Sequence, residues 1–387
     1  MLRYIILLFL FFIVKDFYAQ RPILKYYKDS SALKEKYFAF INESDTVRHG
    51  TYFFYNKMGD VIHQANYVNN LLEGEYYVYY KANQLKLIHT FKGGKKEGNY
   101  EYFDSNGRLR QKGNFKNDSL HGILKHYNSK GIIEKESNYF LGKRNGIEKE
   151  YNEYGIIHEE LEYNMDSIEG VYRAFYNNGA LNYEGKRNQK GYIDTLTGYY
   201  ENGNILRKCF YINGQIHGTL FDFYKNGNSR IITNYIDGKR DGDFSEYFPD
   251  GSIAQIGAYV NNAKEGLWKA YYPDGSLFSE GMFLNNQFDN IWKVYFENGN
   301  LKQIGGYKNG KSLGEWKYYH PNGNVWKIGS YINDKEEGIW LIYNVMGELT
   351  KIINYENGNP QGIARLKEQG VWYKLFVKSL EETIIIE

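Results

Sequence analysis

Only a few residues of this chain could carry chemistry, and their surroundings argue against each of them. The segment from Gly305 to Ser312 reads GGYKNGKS and satisfies the phosphate-loop pattern G-x-x-x-x-G-K-S. That chemistry needs a strand, a loop and then a helix whose first amides face the phosphates. Here Gly310 lies in a predicted turn between two strands. The sequence therefore predicts no nucleotide site.

Histidine and cysteine give no stronger signal. His49, His121 and His217 each precede a recurring glycine, at a place where other parts of the chain carry Glu or Asp. A column that accepts both residue types is typical of a solvated strand. Cys209 is the only cysteine, so the chain has no internal disulfide and no cluster of metal-binding thiolates. We therefore predict no catalytic residue, no cofactor, no metal site and no enzymatic activity.

All of these residues are placed by a repeat of 24 residues. The recurring position holds Gly in twelve places from Gly50 to Gly362, and Asp194 and Asn290 are the exceptions. Thirteen units fit between residues 50 and 362 without an insertion or deletion, so the chain is read as a repeat array. We number the recurring position zero and count forward from it within each unit.

Each unit carries the signals of two strands and two turns. Position 5 is aromatic in all thirteen units, position 2 is bulky in most, and position 9 is Gly in twelve, usually after Asn or Asp. The Asn-Gly pairs predict a two-residue type I′ turn at positions 8 and 9. Further turn residues at positions 19 to 22 predict a second turn, which we take as a four-residue loop.

A steric argument gives the predicted register of the strands. With these loops, positions whose numbers sum to 17 face each other, so that position 6 lies opposite position 11. Each large ring then lies beside a small residue, which stabilises the pair. The predicted pairs are Trp268 with Gly281, Trp292 with Gly305 and Trp316 with Gly329. The sequence leaves open which face of the sheet carries position 5.

The pattern predicts an all-β fold. We expect an elongated single-layer antiparallel β-sheet, or solenoid, of thirteen two-strand units with a cap at each end. Residues 20–49 form the predicted N-terminal cap, with a short helix around Ala32 to Lys36, and residues 50–362 form the array. Residues 363–387 form the predicted C-terminal cap, with strands from Val371 to Val377 and from Thr383 to Ile386.

The first residues follow the pattern of an export signal. Arg3 precedes an apolar run from Ile5 to Val14, and a polar stretch leads to Ala19. This run is too short to cross a bilayer, which needs roughly 20 residues. We predict a signal peptide over residues 1–19, cleavage near Ala19, and an exported protein that is periplasmic, at the cell surface or secreted. A buried strand or an uncleaved anchor is the alternative.

The charge balance argues against two classes of partner. Lys plus Arg number 48 against 46 Asp plus Glu, and the two signs are interspersed. No long-range field would attract nucleic acid or an anionic membrane. We predict neither nucleic-acid binding nor membrane insertion.

The sequence of one unit resembles the repeat of a known family. The pattern G-x-W-x-x-Y-Y-x-x-G-x-L, present from Gly266 to Leu277, resembles the MORN-repeat variant of exported and cytoplasmic bacterial proteins, and it recurs over residues 50–362. The resemblance implies an antiparallel β repeat fold and a non-catalytic interaction role, with no residue of defined chemical function. Such proteins often carry the label of a toxin–antitoxin antitoxin component, an antitoxin-like role that an export signal fits poorly.

The aromatic columns are the feature that could bind a partner. The candidate binding surface consists of position 2 and position 5 of four successive units: Trp268, Trp292, Trp316, Trp340, Tyr271, Tyr295, Tyr319 and Tyr343. The main hypothesis is an exported scaffold that binds a protein partner through these rings. The alternatives are carbohydrate or cell-wall glycan binding through the same stripe, and antitoxin-type binding. A structural interpretation remains beside them, in which the rings only cover glycines.

Overall fold

A computed structural model describes residues 19–41, 45–81, 83–188, 190, 193–368, 371–379 and 382–386. These ranges contain β-strands and turns and no helix, so the all-β prediction is confirmed. Residues 1–18 of the predicted signal peptide lie outside the described residues. No helix of the described ranges is long and apolar enough to cross a membrane.

The chain divides into two compact units. The first unit runs to residue 171 and includes residues 177–179, and the second holds residues 172–176 and those from 180 onward. The strands that precede the boundary are β1 (Arg21–Tyr26), β2 (Leu33–Ile41), β3 (Thr46–Tyr55), β4 (Val61–Val68), β5 (Leu71–Leu72), β6 (Gly74–Lys81), β7 (Gln84–Lys92), β8 (Lys95–Phe103), β9 (Leu109–Lys116), β10 (Ser119–Leu120), β11 (Gly122–Tyr127), β12 (Ile133–Phe140), β13 (Lys143–Arg144), β14 (Gly146–Tyr151) and β15 (Ile157–Asn164). The boundary falls within β16 (Ser167–Phe175).

The remaining strands belong to the second unit. They are β17 (Leu181–Arg187), β18 (Ile193–Tyr199), β19 (Ile205–Ile212), β20 (Gln215–Ile216), β21 (Gly218–Phe223), β22 (Ser229–Ile236), β23 (Lys239–Tyr247), β24 (Ile253–Val260), β25 (Ala263–Tyr271), β26 (Leu277–Leu284), β27 (Gln287–Tyr295), β28 (Leu301–Lys308), β29 (Lys311–Tyr319), β30 (Val325–Ile332), β31 (Lys335–Tyr343), β32 (Leu349–Glu356), β33 (Asn359–Glu368), β34 (Val371–Ser379) and β35 (Glu382–Ile386). The last two are the strands predicted near the C-terminus.

Pairing within each unit is antiparallel between strands that follow each other along the chain or are separated only by a two-residue strand, as β4 and β6 are by β5. In the second unit, for example, β25 pairs with both β24 and β26. Among the described residues, β1 of the first unit pairs with β2 alone and β35 of the second unit pairs with β34 alone, so each of these strands leaves one edge of its sheet open. Two strands and two turns per 24 residues are thus confirmed.

The two turns have the opposite types from those predicted. Positions 19 and 20 form the two-residue type I′ turn: Asn309 and Gly310 have φ values of 51° and 77°, and Lys308 pairs with Lys311 across them. At positions 6 to 10, the Gly275 amide bonds to the Tyr272 carbonyl, and φ is positive only at the glycine. That is a type I turn followed by a G1 bulge.

The predicted cross-strand pairs between position 2 and position 15 are confirmed, with Trp268 opposite Gly281, Trp292 opposite Gly305 and Trp316 opposite Gly329. Nearer the first turn the predicted register is wrong. Tyr271, at position 5, lies opposite Leu277, at position 11, because a bulge adds one residue to the second strand. Position 6 therefore does not pair with position 11.

The same strand settles which face carries position 5. Tyr271 follows Trp268 by three residues along an uninterrupted strand, so the two side chains point to opposite faces. We call the face with positions 2, 15 and 17 the ring face. The outer face carries positions 1, 3, 5, 14, 16 and 18.

A second bulge lies at the recurring glycine. On β28, Ile304 and Gly306 are two residues apart, but their partners Lys317 and Leu313 on β29 are four apart. Gly314 lies in this extra stretch with φ of 77°, a conformation that costs other residues energy. Such bulges bend a strand, and here the bend separates the second turn from the rest of the hairpin.

The prediction of a short helix around Ala32 to Lys36 is wrong. Leu33–Ile41 forms β2, which pairs with β1 on one side and β3 on the other. Alternation explains the strand, because Tyr37 and Ala39 are both buried on one face. The local helix signal is too short to compete with pairing on both edges.

Candidate binding surface

The buried residues lie almost entirely in three columns of the ring face. Trp268, Trp316 and Trp340 at position 2 are only 1%, 2% and 2% exposed. The other buried members of positions 2, 15 and 17 are Ala65, His89, Leu124, Ser137, Glu148, Tyr163, Cys209, Leu220, Thr233, Phe244, Tyr259 and Ile353. The ring face is therefore the core of each unit.

Glycine at position 15 makes room for each tryptophan. A Cβ on Gly305 would overlap the Cδ2 and Cε2 atoms of Trp316, and Gly257, Gly281 and Gly329 meet Trp268, Trp292 and Trp340 in the same way. Smaller rings accompany larger residues at position 15. Thr233, for example, pairs with Phe244. In these pairs the volumes at the two positions are complementary.

The rings also contact one another and the residue at position 22. The Trp316 ring makes edge contacts with Tyr307 and Tyr331 at centroid distances of 5.1 and 5.7 Å. Lys264, at position 22, places its Nζ 4.0 Å from the centroid of Trp268. Because the strand bends at the recurring glycine, the position-22 side chain covers the ring beyond the bend.

The structure does not bring the eight candidate residues together on one surface. Three of the tryptophans are buried in the ring face, and Trp292 is partly buried there. The tyrosines at position 5 lie on the outer face and are half-buried. The predicted stripe is therefore two separate columns, of which only the tyrosines face outward.

Sequence reasoning missed a tyrosine column that joins neighbouring repeats. The hydroxyl at position 6 donates to the carbonyl at position 5 of the next repeat. The distances are 3.0 Å from Tyr80 to Phe103, 2.8 Å from Tyr224 to Tyr247 and 2.9 Å from Tyr272 to Tyr295. The recurrent Tyr-Tyr pair at positions 5 and 6 is the signal that could have revealed it.

The position before the recurring glycine also has a structural role. The Glu265 carboxylate accepts the Asn285 amide at 3.0 Å, and Glu337 accepts the Asn357 amide at 2.9 Å. The imidazole Nδ1 of His217 occupies the same place, 3.5 Å from the Asp237 amide. This column caps the type I′ turn of the next repeat, which explains why it takes acids and histidine.

The remaining motifs have structural settings too. Cys209 is buried beside the Leu196 carbonyl, and burial raises the pKa of its thiol. In the phosphate-loop look-alike, Gly310 belongs to a two-residue turn between β28 and β29, so no helix N-terminus faces it. Among the described residues, no cluster of three or more His, Cys, Asp or Glu could hold a metal ion.

Charged side chains on the outer face form cross-strand networks. Glu280 lies 3.6 Å from the Lys269 amine and 3.2 Å from the Lys293 amine, and it accepts the Tyr295 hydroxyl at 3.2 Å. Burial alone would raise the pKa of Glu280, but the bonds from Lys293 and Tyr295 hold it below its usual value. The Glu280 carboxylate therefore finds its partners within the sheet.

The first unit contains a buried histidine that makes its stability depend on pH. His89 is 7% exposed and stacks on Tyr100, with ring centroids 5.1 Å apart. Burial lowers its pKa from 6.5 to about 4. Since the unfolded chain binds the proton more readily, the stabilisation is complete above pH 6.5 and is lost as the pH falls through 4.

We expect His89→Thr to reduce this acid sensitivity. Threonine already lies opposite a ring in the pair of Thr233 with Phe244. Urea unfolding at pH 7 and pH 4 should show that the wild-type chain loses on the order of 1–2 kcal/mol more than the variant. The control is His158→Thr, the same substitution at an exposed histidine. An unaltered pH dependence in His89→Thr would contradict the assignment.

Two columns of exposed aliphatic residues in the second unit lie on the outer face near the second turn. Position 1 contributes Leu267, Ile291 and Ile339, which are 52%, 54% and 64% exposed. Position 18 contributes Val260, Leu284 and Ile332, at 48%, 44% and 51%. Because these aliphatic columns are exposed on the outer face, they can meet another molecule.

Comparison with known families supports the presence of MORN repeats in this chain. The MORN repeat variant family model matches residues 96–117, 195–213, 240–261, 264–285, 288–309 and 313–333. Four consecutive matches cover the hairpins whose rings and turns are described above. No curated protein matches the chain.

Similarity to solved structures is weak. The chain is 12% identical to chains in the crystal structures of TcdB2-TccC3-Cdc42 and TcdB2-TccC3, each with a TM-score of 0.15. The matches cover 95% and 91% of this chain but 27% of each of those chains. The chain therefore spans about a quarter of their length, and a TM-score this low supports no structural argument.

Proposed function

We propose that this MORN-repeat chain is a non-catalytic, exported scaffold that binds a protein partner through the outer face of its sheet. The observation that carries the proposal is the exposure of aliphatic side chains in register on that face, from Val260 to Ile339. The ring face serves the fold, because its tryptophans and tyrosines contact each other. A repeated exposed face is the usual binding surface of repeat proteins.

The test is capture of a partner by the folded protein. The immobilised chain from residue 20 onward should retain a specific protein from envelope extracts. Leu267→Ser combined with Ile339→Ser should weaken retention without lowering the unfolding midpoint, because both residues are exposed. Lys28→Ser, exposed in the first unit, is the control. Retention that is equal in all three proteins would contradict the proposal.

One observation favours glycan binding as a second candidate function. Trp326 is 44% exposed, and its ring lies 6.2 Å from Tyr318 and 6.3 Å from His320. Exposed indoles beside polar rings can stack on sugars. If the chain binds cell-wall glycan, Trp326→Ala should abolish pelleting with it, whereas pelleting unaffected by this change would remove the candidate. The antitoxin-type role rests on family resemblance alone.

A further inference from the structure

A row of three exposed aliphatic side chains and one glycine crosses four strands of the second unit. Ile291 lies opposite Gly306, Gly306 opposite Leu313, and Leu313 opposite Ile332. The three side chains are 54%, 43% and 51% exposed. Paired residues of an antiparallel ladder share a face, so the four positions form one line on the outer face. Gly306 has no side chain, which leaves a gap in the row between Ile291 and Leu313.

Lysines border this row on the side of the second turn. Lys308 lies directly opposite Lys311, and Lys335 lies opposite Ile332. All three are exposed, and none forms an ion pair with any described residue. Like charges directly opposite each other destabilise a sheet. The sheet therefore carries a cost here that an anionic partner would relieve.

The carboxylates of the same hairpins have other partners. Asp334 accepts the Ser312 amide at 2.6 Å, and Glu337 accepts the Asn357 amide. Glu315 lies 2.9 Å from the Lys317 amine. Rearranging them to neutralise the three lysines would break these bonds. We name Ile291, Leu313, Ile332, Lys308, Lys311 and Lys335 the basic apolar patch.

We propose that the basic apolar patch binds a segment of a protein partner that combines acidic and aliphatic side chains. The inference rests on the proposed function and specifies the chemistry of its partner. Aliphatic side chains of the segment cover Ile291, Leu313 and Ile332, and its carboxylates meet the lysines. A partner with charge alone would leave the row in water. A partner with aliphatic groups alone would bury the like charges of Lys308 and Lys311 with no carboxylate to neutralise them.

The probe for the test is a fluorescein-labelled eight-residue peptide that alternates glutamate and leucine. Its binding to the full chain is measured by fluorescence anisotropy. Binding should weaken as salt is added. Two control peptides replace glutamate by lysine or leucine by serine, and neither should bind. Equal binding of either control peptide would overturn the proposal.

Variants locate the binding site. Leu313→Ser with Ile332→Ser, and separately Lys308→Ser with Lys311→Ser, should each weaken peptide binding at least about tenfold, which is about 1.4 kcal/mol. The matched control is Lys92→Ser with Lys95→Ser, because these lysines form the same cross-strand pair in the first unit. Unchanged affinity in the patch variants, or an equal loss in the control, would overturn the assignment.

Two further outcomes separate this inference from its alternatives. Vesicles of phosphatidylcholine with phosphatidylserine should not bind, and vesicle binding that depends on the patch while the peptide fails would assign it to membranes instead. If the patch variants retain the protein that the wild-type chain captures from extracts, this site is wrong while the proposed function stands. If the wild-type chain binds the peptide but captures no protein, the proposed function fails instead.

Discussion

Replacing Gly305 by alanine is expected to destabilise the second unit by about 2–3 kcal/mol. The added methyl group would overlap the Trp316 indole, which is 2% exposed and held by Tyr307 and Tyr331. The ring cannot move away without losing those contacts. Guanidinium unfolding followed by circular dichroism and tryptophan fluorescence should show the loss as a lower midpoint.

A second substitution tests whether steric overlap is the cause. Phenylalanine is smaller than tryptophan and already lies opposite threonine in the pair of Phe244 with Thr233. Gly305→Ala combined with Trp316→Phe should therefore be more stable than Gly305→Ala alone. Lys308→Ala, exposed on the same strand and directly opposite Lys311, should not lower stability, because it removes a like-charge pair. If Gly305→Ala behaves like Lys308→Ala, the packing described for the ring face is wrong.

Removal of the Asp222 side chain is expected to have a similar effect, about 2–3 kcal/mol. Asp222 is 3% exposed and binds Arg207 Nη2 at 2.8 Å and Arg230 Nη2 at 3.1 Å. Asp222→Ala would leave two guanidinium groups without their carboxylate. Both arginines are partly exposed and can turn to water, which limits the loss.

The pH dependence of the same site has a definite sign. Burial alone would raise the pKa of Asp222, but the bonds from Arg207 and Arg230 hold it below its usual value. Its stabilisation is therefore complete above the ordinary aspartate pKa of about 3.9 and is lost as the pH falls through the lower folded value. The stability difference between wild type and Asp222→Asn should be constant from pH 5 to 7 and shrink below pH 4. A difference that grows on acidification would contradict the assignment.

Much of the fold could be predicted because the repeat makes the same signals recur. The 24-residue period gives two strands per unit, and the pairing of Trp316 with Gly329 follows from size alone. The turn types could not be assigned, because Asn-Gly at positions 19–20 and Asp-Gly at positions 8–9 look alike in sequence. Type I′ and G1-bulge turns both place glycine at positive φ.

The candidate binding surface was harder to predict than the fold. A single-layer sheet leaves both faces open, so a column of tryptophans looks like an exposed stripe. Covering of those rings depends in part on the bulge at the recurring glycine, beyond which Lys264 lies over Trp268 and Phe288 lies against Trp292. A bulge changes only one or two residues in register, and the sequence does not reveal which side chains it covers. For the same reason, the sequence did not determine which face carries position 5.

Hydroxyl-radical footprinting of the wild-type chain, read by mass spectrometry at each tryptophan, tests the separation of the two faces most directly. Trp326 is 44% exposed and should oxidise rapidly. Trp268, Trp316 and Trp340 should be protected until the chain unfolds, because they are almost completely buried. Oxidation of Trp316 as fast as Trp326 would show that the ring face is open to ligands, and would contradict the assignment of binding to the outer face.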